Sequence, residues 1–270
     1  MFEATLPGST FQGARLDIRR GLSMWKGWIS LARQDVASSY RRTALGPFWI
    51  SLQQVAFVAG IGVLYSQLLK VDGRDHIPLV AYGISIWGLF TRMVQSSSGV
   101  FIDGGGSIRS SNLPRSFFVF HFVARDFMIF LNSVLVLALI PLLYRRTPHP
   151  SALIAVPIGI VCILSLGVGF GLWLGPLSVR YRDVNVGVGS LLQIALFLTP
   201  IFWNPKTLGE SHWAVKFNPL GWIVNLIREP LLGQMIDVRT LVLVFLFTVV
   251  NLTVGFVTFA KRRLGISYLA

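Results

Sequence analysis

Two neighbouring stretches of this chain carry no formal charge: Ser151 to Val179 and Val184 to Trp203. Each is about as long as the ~20 helical residues that cross a bilayer. Only Arg180-Tyr181-Arg182-Asp183 separates them. Two apolar spans joined by a tight polar turn read as a helical hairpin through a membrane. Four more apolar stretches extend the pattern: Ala44–Leu69, Ile77–Ile102, Phe117–Tyr144 and Thr240–Ala260. The expected fold is an all-α membrane protein with six transmembrane helices in one domain over residues 1–270. The first long apolar run begins only at Ala44, so no cleavable signal peptide is visible.

Composition agrees. Hydrophobic residues make up 53% of the 270 residues and charged residues 13%, against about 25% charged in soluble domains. The net charge of +13 invites a nucleic-acid reading. The basic residues, however, sit in short clusters between apolar spans, which is how membrane topology is written. Nucleic acid is therefore set aside as a partner. Six spans put both termini on one side. Of 24 Lys and Arg, fourteen then fall on the side of the termini, eight on the other, and Arg92 and Arg125 within spans. This bias places both termini in the cytoplasm.

Ahead of the first span, Ile18, Leu22, Trp25, Ile29, Ala32, Val36 and Tyr40 recur every three or four residues, with Arg19, Lys26 and Arg33 on another face. The spacing predicts an amphipathic helix over Asp17–Arg42 that lies in the headgroup plane or packs on a partner. In the fourth span Gly167, Gly171 and Gly175 share one face and permit close helix packing. Arg92 lies within the second span; it is either functional or long enough to reach the interface.

The fifth span ends abruptly at Thr199-Pro200-Ile201-Phe202-Trp203-Asn204-Pro205, and residues 204–233 are polar, then apolar, then broken at Arg228-Glu229-Pro230. Such a piece is too short to cross. It reads as re-entrant helix lining a pathway or as a loop on the membrane surface. Pro200, Pro205 and Pro219 each remove a backbone donor.

The chemistry of enzymes is missing from the sequence. No Gly-x-x-x-x-Gly-Lys-Ser/Thr is present, so the chain is not expected to hydrolyse ATP itself. His76, His121, His149 and His212 are scattered without metal-ligand spacing, and Cys162 stands alone. No metal site, catalytic residue or cofactor bound by the chain is expected.

Five motifs in order resemble one family. They are Arg41-Arg42-Thr43-Ala44-Leu45-Gly46-Pro47-Phe48-Trp49, Ile108-Arg109-Ser110-Ser111-Asn112-Leu113-Pro114-Arg115, Arg180-Tyr181-Arg182-Asp183-Val184, Thr199-Pro200-Ile201, and Asn218-Pro219-Leu220 with Arg228. Over about Leu31 to Lys261 the chain resembles type-2 ABC exporter permeases for polysaccharides. Gln34 and Gln54 depart from the family pattern. The resemblance implies a homodimer in the bacterial inner membrane with two copies of a separate ABC subunit that binds ATP and Mg. It implies a lipid-linked polysaccharide substrate such as an O-antigen; teichoic acid, capsule, cell-wall galactan or a small hydrophobic drug or lipid are alternatives. Ser107–Ser116 would couple to the ATPase, with Arg109, Pro114, Arg115, Arg182 and Asp183 as candidates. Residues 204–233 would form re-entrant gate helices, with Pro200, Pro205, Pro219 and Trp222 in the gate. Aromatic faces suit weak, repeated sugar contacts, and Trp49, Tyr65, Trp87, Phe90, Phe197, Phe202 and Trp203 are the channel candidates. Interfacial belts and helix packing are the other use of such residues.

Overall fold

The computed structural model describes residues 10–41, 43, 46, 48–68, 70–104, 106, 111–203 and 216–269. Among these the fold is all-α. In chain order the helices are α1 (Thr10–Ser23), α2 (Trp25–Ser39), α3 (Phe48–Leu68), α4 (Gly73–Asp103), α5 (Arg115–Tyr144), α6 (Ala152–Arg180), α7 (Asp183–Leu198), α8 (Pro219–Leu231) and α9 (Val238–Leu269). Five of them, α3, α4, α5, α6 and α9, are long and apolar enough to cross a bilayer. The chain is a multi-pass membrane protein.

The helices α4 and α6 form the centre, and α3, α5, α7, α8 and α9 pack around them. Glycine makes that centre possible. A Cβ at Gly167 would lie 2.9 Å from Met93 Sδ, one at Gly171 2.8 Å from Phe122 Cε1, and one at Gly175 2.7 Å from Val100 Cγ1. The three face α4 and α5. On the opposite side of α6, a Cβ at Gly255 of α9 would lie 2.6 Å from the Gly169 carbonyl oxygen. Asn251 seals this contact by donating to the Leu166 carbonyl at 3.0 Å and accepting from Trp173 Nε1 at 3.0 Å.

Three expectations need correction. The helix expected over Asp17–Arg42 is two helices, broken at Met24. The face of α1 that packs is Gly13, Ala14, Asp17 and Gly21; Gly13 lies against Arg263 of α9, and Gly21 against Ser116 and Phe117 of α5. Leu22 and Trp25 of the expected apolar stripe are each 51% exposed, while Ala32 further along is buried. The two halves of the stripe thus face different ways.

The span expected to reach Trp203 also ends early. α7 has 16 residues and stops at Leu198, with Thr199 extended (ψ 137°). A residue before proline is pushed out of helical geometry, and Pro200 follows. The last span, expected over Thr240–Ala260, is longer: α9 runs through Lys261-Arg262-Arg263 to Leu269.

The start of α1 lies against α9. Arg263 packs over Gly13, and Phe11 meets Phe256 at 6.1 Å between ring centroids.

Candidate translocation path and gate

The end of the molecule opposite the termini is built on the turn after α7. Thr199 and Ile201 are fully buried, and Pro200 has no N–H to give. Arg228, only 2% exposed, donates from Nη1 to the Pro200 carbonyl at 2.6 Å and from Nη2 to Asn225 Oδ1 at 2.6 Å. Charge-assisted bonds of this kind are about twice as strong as neutral ones. Asn218 works from the other end of α8. Its Oδ1 accepts from the Leu220 and Gly221 amides at 3.0 and 3.1 Å, and its Nδ2 donates to the Leu198 carbonyl at 3.1 Å. Asn218 is thus an N-cap that also holds the C-terminus of α7. Pro219 fills the first helical position, where a missing N–H is harmless.

The turn fits because α4 has a glycine opposite it. A Cβ at Gly83 would lie 3.2 Å from Ile201 Cγ2 and 3.3 Å from the Ile201 carbonyl oxygen. So α4, the 199–201 turn and α8 form one latched unit. α8 has 13 residues, about 20 Å, short of the ~30 Å hydrocarbon core. Neighbouring loops tie in: the His149 amide donates to the Pro230 carbonyl at 2.9 Å, and Arg146 pairs with Asp75.

The aromatic candidates separate in space. Tyr65 and Phe202 come together at 5.7 Å, joined by Phe57 at 6.4 Å from Phe202. Phe202 is buried and Trp203 half-buried beside the latch. Trp87 and Phe90 are buried in the core at 6.0 Å from each other, with Phe170 against Phe90; in this chain they fill helix packing. Trp49 and Phe197 are exposed at the start of α3 and the end of α7. Trp222 is half-buried on α8. Pro205 lies outside the described residues.

Polar groups stand exposed around Arg92, the one of them that the sequence singled out. α4 is mostly buried, yet Arg92 and Gln95 are exposed and a Cβ at Gly88 would meet nothing within 4 Å. Gln95 Nε2 and Ser98 Oγ both donate to Asn185 Oδ1 of α7 at 2.7 Å. Gln53 on α3 and Ser190 and Gln193 on α7 are exposed as well. Arg125 of α5 donates from Nη2 to Ser96 at 3.1 Å and from Nε to Asp126 at 3.0 Å. Exposed polar side chains on apolar spans are expensive beside lipid and mark a wet path or a partner. Among these, the Gln95 and Ser98 contacts to Asn185 join α4 to α7, and the Arg125 contact to Ser96 joins α5 to α4.

At the terminal end, α1 and α2 strap the start of α5. Pro114 precedes α5 and supplies no side-chain cap. Asp17 supplies it instead, accepting from the Ser116 amide at 2.9 Å and the Arg115 amide at 3.2 Å, while Ser116 Oγ donates to the Asp17 carbonyl at 2.9 Å. One turn on, His121 Nε2 stands 2.9 Å from Asp35 of α2. Arg182 and Asp183 are exposed at the start of α7, where Arg180 stacks on Tyr181 at 5.3 Å. Arg109 lies outside the described residues. Among those described, no group of His, Cys, Asp and Glu could hold a metal ion.

A membrane-spanning bundle with exposed polar side chains on α4 and α7 and a short latched helix at one end fits a membrane transport subunit. The chain belongs to the ABC-2 type transporter family, whose pattern matches residues 27–232. Among its relatives is an O-antigen export system permease protein of Klebsiella pneumoniae, 19% identical over 236 residues, covering 87% of this chain and 91% of that protein. A protein of the same description from Myxococcus xanthus is 22% identical over 197 residues, covering 71% and 74%.

Proposed function

We propose that this chain is the permease of an exporter that moves a lipid-linked polysaccharide of the O-antigen kind across the bacterial inner membrane. It acts as a homodimer with two separate ATP-binding subunits, which hold ATP and Mg. Both termini face the cytoplasm, so Asp17, Ser116 and the 107–116 segment lie on the side of the ATPase. Arg109, Pro114, Arg115, Arg182 and Asp183 are the coupling candidates there. The latched α8 then lies outward and gates the exit. One observation carries this reading: the charge-assisted clamp of Arg228 on the Pro200 turn, at the end opposite the termini. It turns two short motifs into one movable unit at one end of helices that carry exposed polar side chains. A sugar polymer needs many weak contacts rather than one tight site, and Arg92, Gln95, Gln53 and Gln193 offer them along the helices, with Tyr65, Phe202 and Trp203 at the mouth.

The test is a deletion strain. Lipid-linked polymer should accumulate on the inner leaflet, disappear from the cell surface, and return to it on complementation; sugar analysis of the accumulated material names the glycan. Normal surface polymer in the deletion strain removes the proposal. Cysteines at Gln234 and Ser111 in a Cys162→Ser background test the orientation. Only Gln234 should react with an impermeant reagent from outside.

A further inference from the structure

At the terminal end, α6 and α9 leave a groove of about 170 Å³ between them. Pro176, Val179 and Arg180 line it from α6; Lys261, Arg262, Gly265 and Ile266 line it from α9. Residues three and four apart share a helix face, so each helix turns one short face to the groove. Gly265 keeps it open, since a Cβ there would meet nothing within 4 Å. Pro176 and Ile266 are buried and make an apolar floor. Arg180, Lys261 and Arg262 are exposed and make a cationic rim.

Depth fixes what surrounds the groove. Between Arg239 and Lys261, α9 carries no formal charge. That stretch is about 33 Å long, which matches the ~30 Å hydrocarbon core. α6 likewise carries no charge from Ala152 until Arg180. The floor therefore lies in the last turn of the hydrocarbon, and the rim at headgroup level. The topogenic excess of Lys and Arg explains which side of the membrane these cations take. It does not explain why three of them gather around one groove. A cation in the last turn of a helix answers the helix dipole, which accounts for Arg180. It leaves Lys261 and Arg262 unexplained, because α9 runs on to Leu269. Among the described residues, none of the three has a carboxylate partner. Three such cations over an apolar floor fit an anion carried on an apolar body.

We propose that the groove binds one anionic glycerophospholipid from the leaflet on the side of the termini. Its phosphate sits among Arg180, Lys261 and Arg262, and the start of an acyl chain covers Pro176 and Ile266. Basic pockets between membrane helices hold lipid phosphates in this way. An acidic protein segment would meet the rim but leave the apolar floor uncovered. The lipid ties α9 to the α6–α7 turn, next to Arg263, which packs over Gly13 of α1.

The full-length protein, purified in detergent and delipidated, is titrated with phosphatidylglycerol and with phosphatidylcholine of the same acyl chains. Binding is read by native mass spectrometry and by the rise in unfolding temperature. Phosphatidylglycerol should bind at least about fivefold more tightly, the worth of one basic residue near an anionic lipid surface. Replacing Arg180, Lys261 and Arg262 together by Gln should bring the two lipids within about twofold of each other. The three side chains are exposed, so the lipid-free variant should unfold at the temperature of the unaltered protein. Gly265→Leu should fill the groove and weaken both lipids. The control removes three cations elsewhere at the same end, by Arg19→Gln, Lys26→Gln and Arg33→Gln, and should leave the preference in place. Equal binding of the two lipids by the unaltered protein overturns the proposal, as does binding unmoved by Gly265→Leu. A preference lost equally in the control also overturns it, by showing a general attraction of the basic end. So does full lipid binding by the triple Gln variant together with loss of the ATP-binding subunit on copurification, which would make the groove a protein contact. These readouts concern lipid binding and stand apart from the identity of the exported glycan.

Discussion

The two ends of the molecule are fastened by opposite chemistry. At the end opposite the termini, a buried guanidinium grips a backbone carbonyl 28 residues away, and Asn218 joins α8 to the end of α7. At the terminal end, a carboxylate caps a helix whose start lies 98 residues further on. The first fastening is deep, charged and local in sequence. The second is a buried carboxylate in ordinary capping bonds, long in range. A buried charge stripped of its partner costs far more than a lost cap. The latch opposite the termini is therefore the costlier fastening to lose, and the terminal strap is the more compliant one. In a transporter this division is useful: the gate must be shut or open, whereas the strap must follow the motion of a partner.

Removing the latch should have the largest effect. Arg228→Leu deletes both charged hydrogen bonds and leaves the Pro200 carbonyl buried without a donor, a loss of about 3–6 kcal/mol at 1.5–3 kcal/mol per charged bond. The variant should reach the membrane poorly or export nothing, as read by surface polymer and by thermal unfolding. Arg228→Lys keeps the charge but cannot span both acceptors, and should fall between. Surface polymer at normal levels in Arg228→Leu would show that the clamp is no gate.

Gly83 sharpens the comparison through size alone. Gly83→Val places methyl groups against the Ile201 backbone, and overpacking of this kind costs about 1–3 kcal/mol. Gly13 offers the matching site at the terminal end, where an added Cβ meets the far end of the flexible Arg263 side chain. Gly13→Ala should cost only a few tenths of a kcal/mol, because that side chain can swing aside. Thermal unfolding of the two variants side by side measures the difference in rigidity directly. Equal losses would remove it.

The latch was also the more legible of the two ends. Thr199-Pro200-Ile201 and Asn218-Pro219-Leu220 with Arg228 stand out because proline constrains its neighbours and because an Arg in an apolar helix demands a partner. The spans declared themselves by hydropathy. What the sequence hid was register. Asp17 is one acid in a basic segment until α1 is laid against Ser116. The packed face of α1 is glycine and alanine, which carry no hydrophobic signal, so the apolar periodicity of Leu22 and Trp25 pointed to the exposed side. Likewise Trp87 and Phe90 look like channel aromatics in a list of residues. Only the seating of α4 among α5, α6 and α8 puts them in the core and turns Arg92 and Gln95 outward.

The terminal strap should respond more gently. Asp17→Ala removes the cap from two amides of α5, worth about 1 kcal/mol. Asp17→Asn keeps an acceptor and loses mainly the interaction with the helix dipole, about 0.3–1 kcal/mol. Hydrogen exchange of residues 10–23 and 115–118 should quicken in the alanine variant and barely change in the asparagine variant. ATPase activity of the assembled exporter should persist while export falls. Export that survives Asp17→Ala unchanged would mean that the strap carries no motion.

Asp237, which caps α9 at the end opposite the termini, tests whether location or chemistry sets the ranking. Its carboxylate accepts from Thr240 Oγ1 at 2.7 Å and from the Arg239 and Thr240 amides at 3.0 and 3.1 Å. The Thr240 hydroxyl, first among these, holds the carboxyl below its ordinary range, and burial opposes the shift only in part. The sign follows from linkage: a carboxyl more acidic in the folded state contributes stability that is present above its unfolded value near 3.9 and lost as pH falls through the lower folded value. Asp237 is exposed, so solvent screening keeps the contribution within the lower part of the capping range, about 0.5–1 kcal/mol. Unfolding of the unaltered protein and of Asp237→Ala should differ by that amount at neutral pH, and the gap should close below about pH 4. If instead the gap matches the loss in Arg228→Leu and ignores pH, position at the end opposite the termini, rather than burial of charge, sets how rigidly each fastening holds.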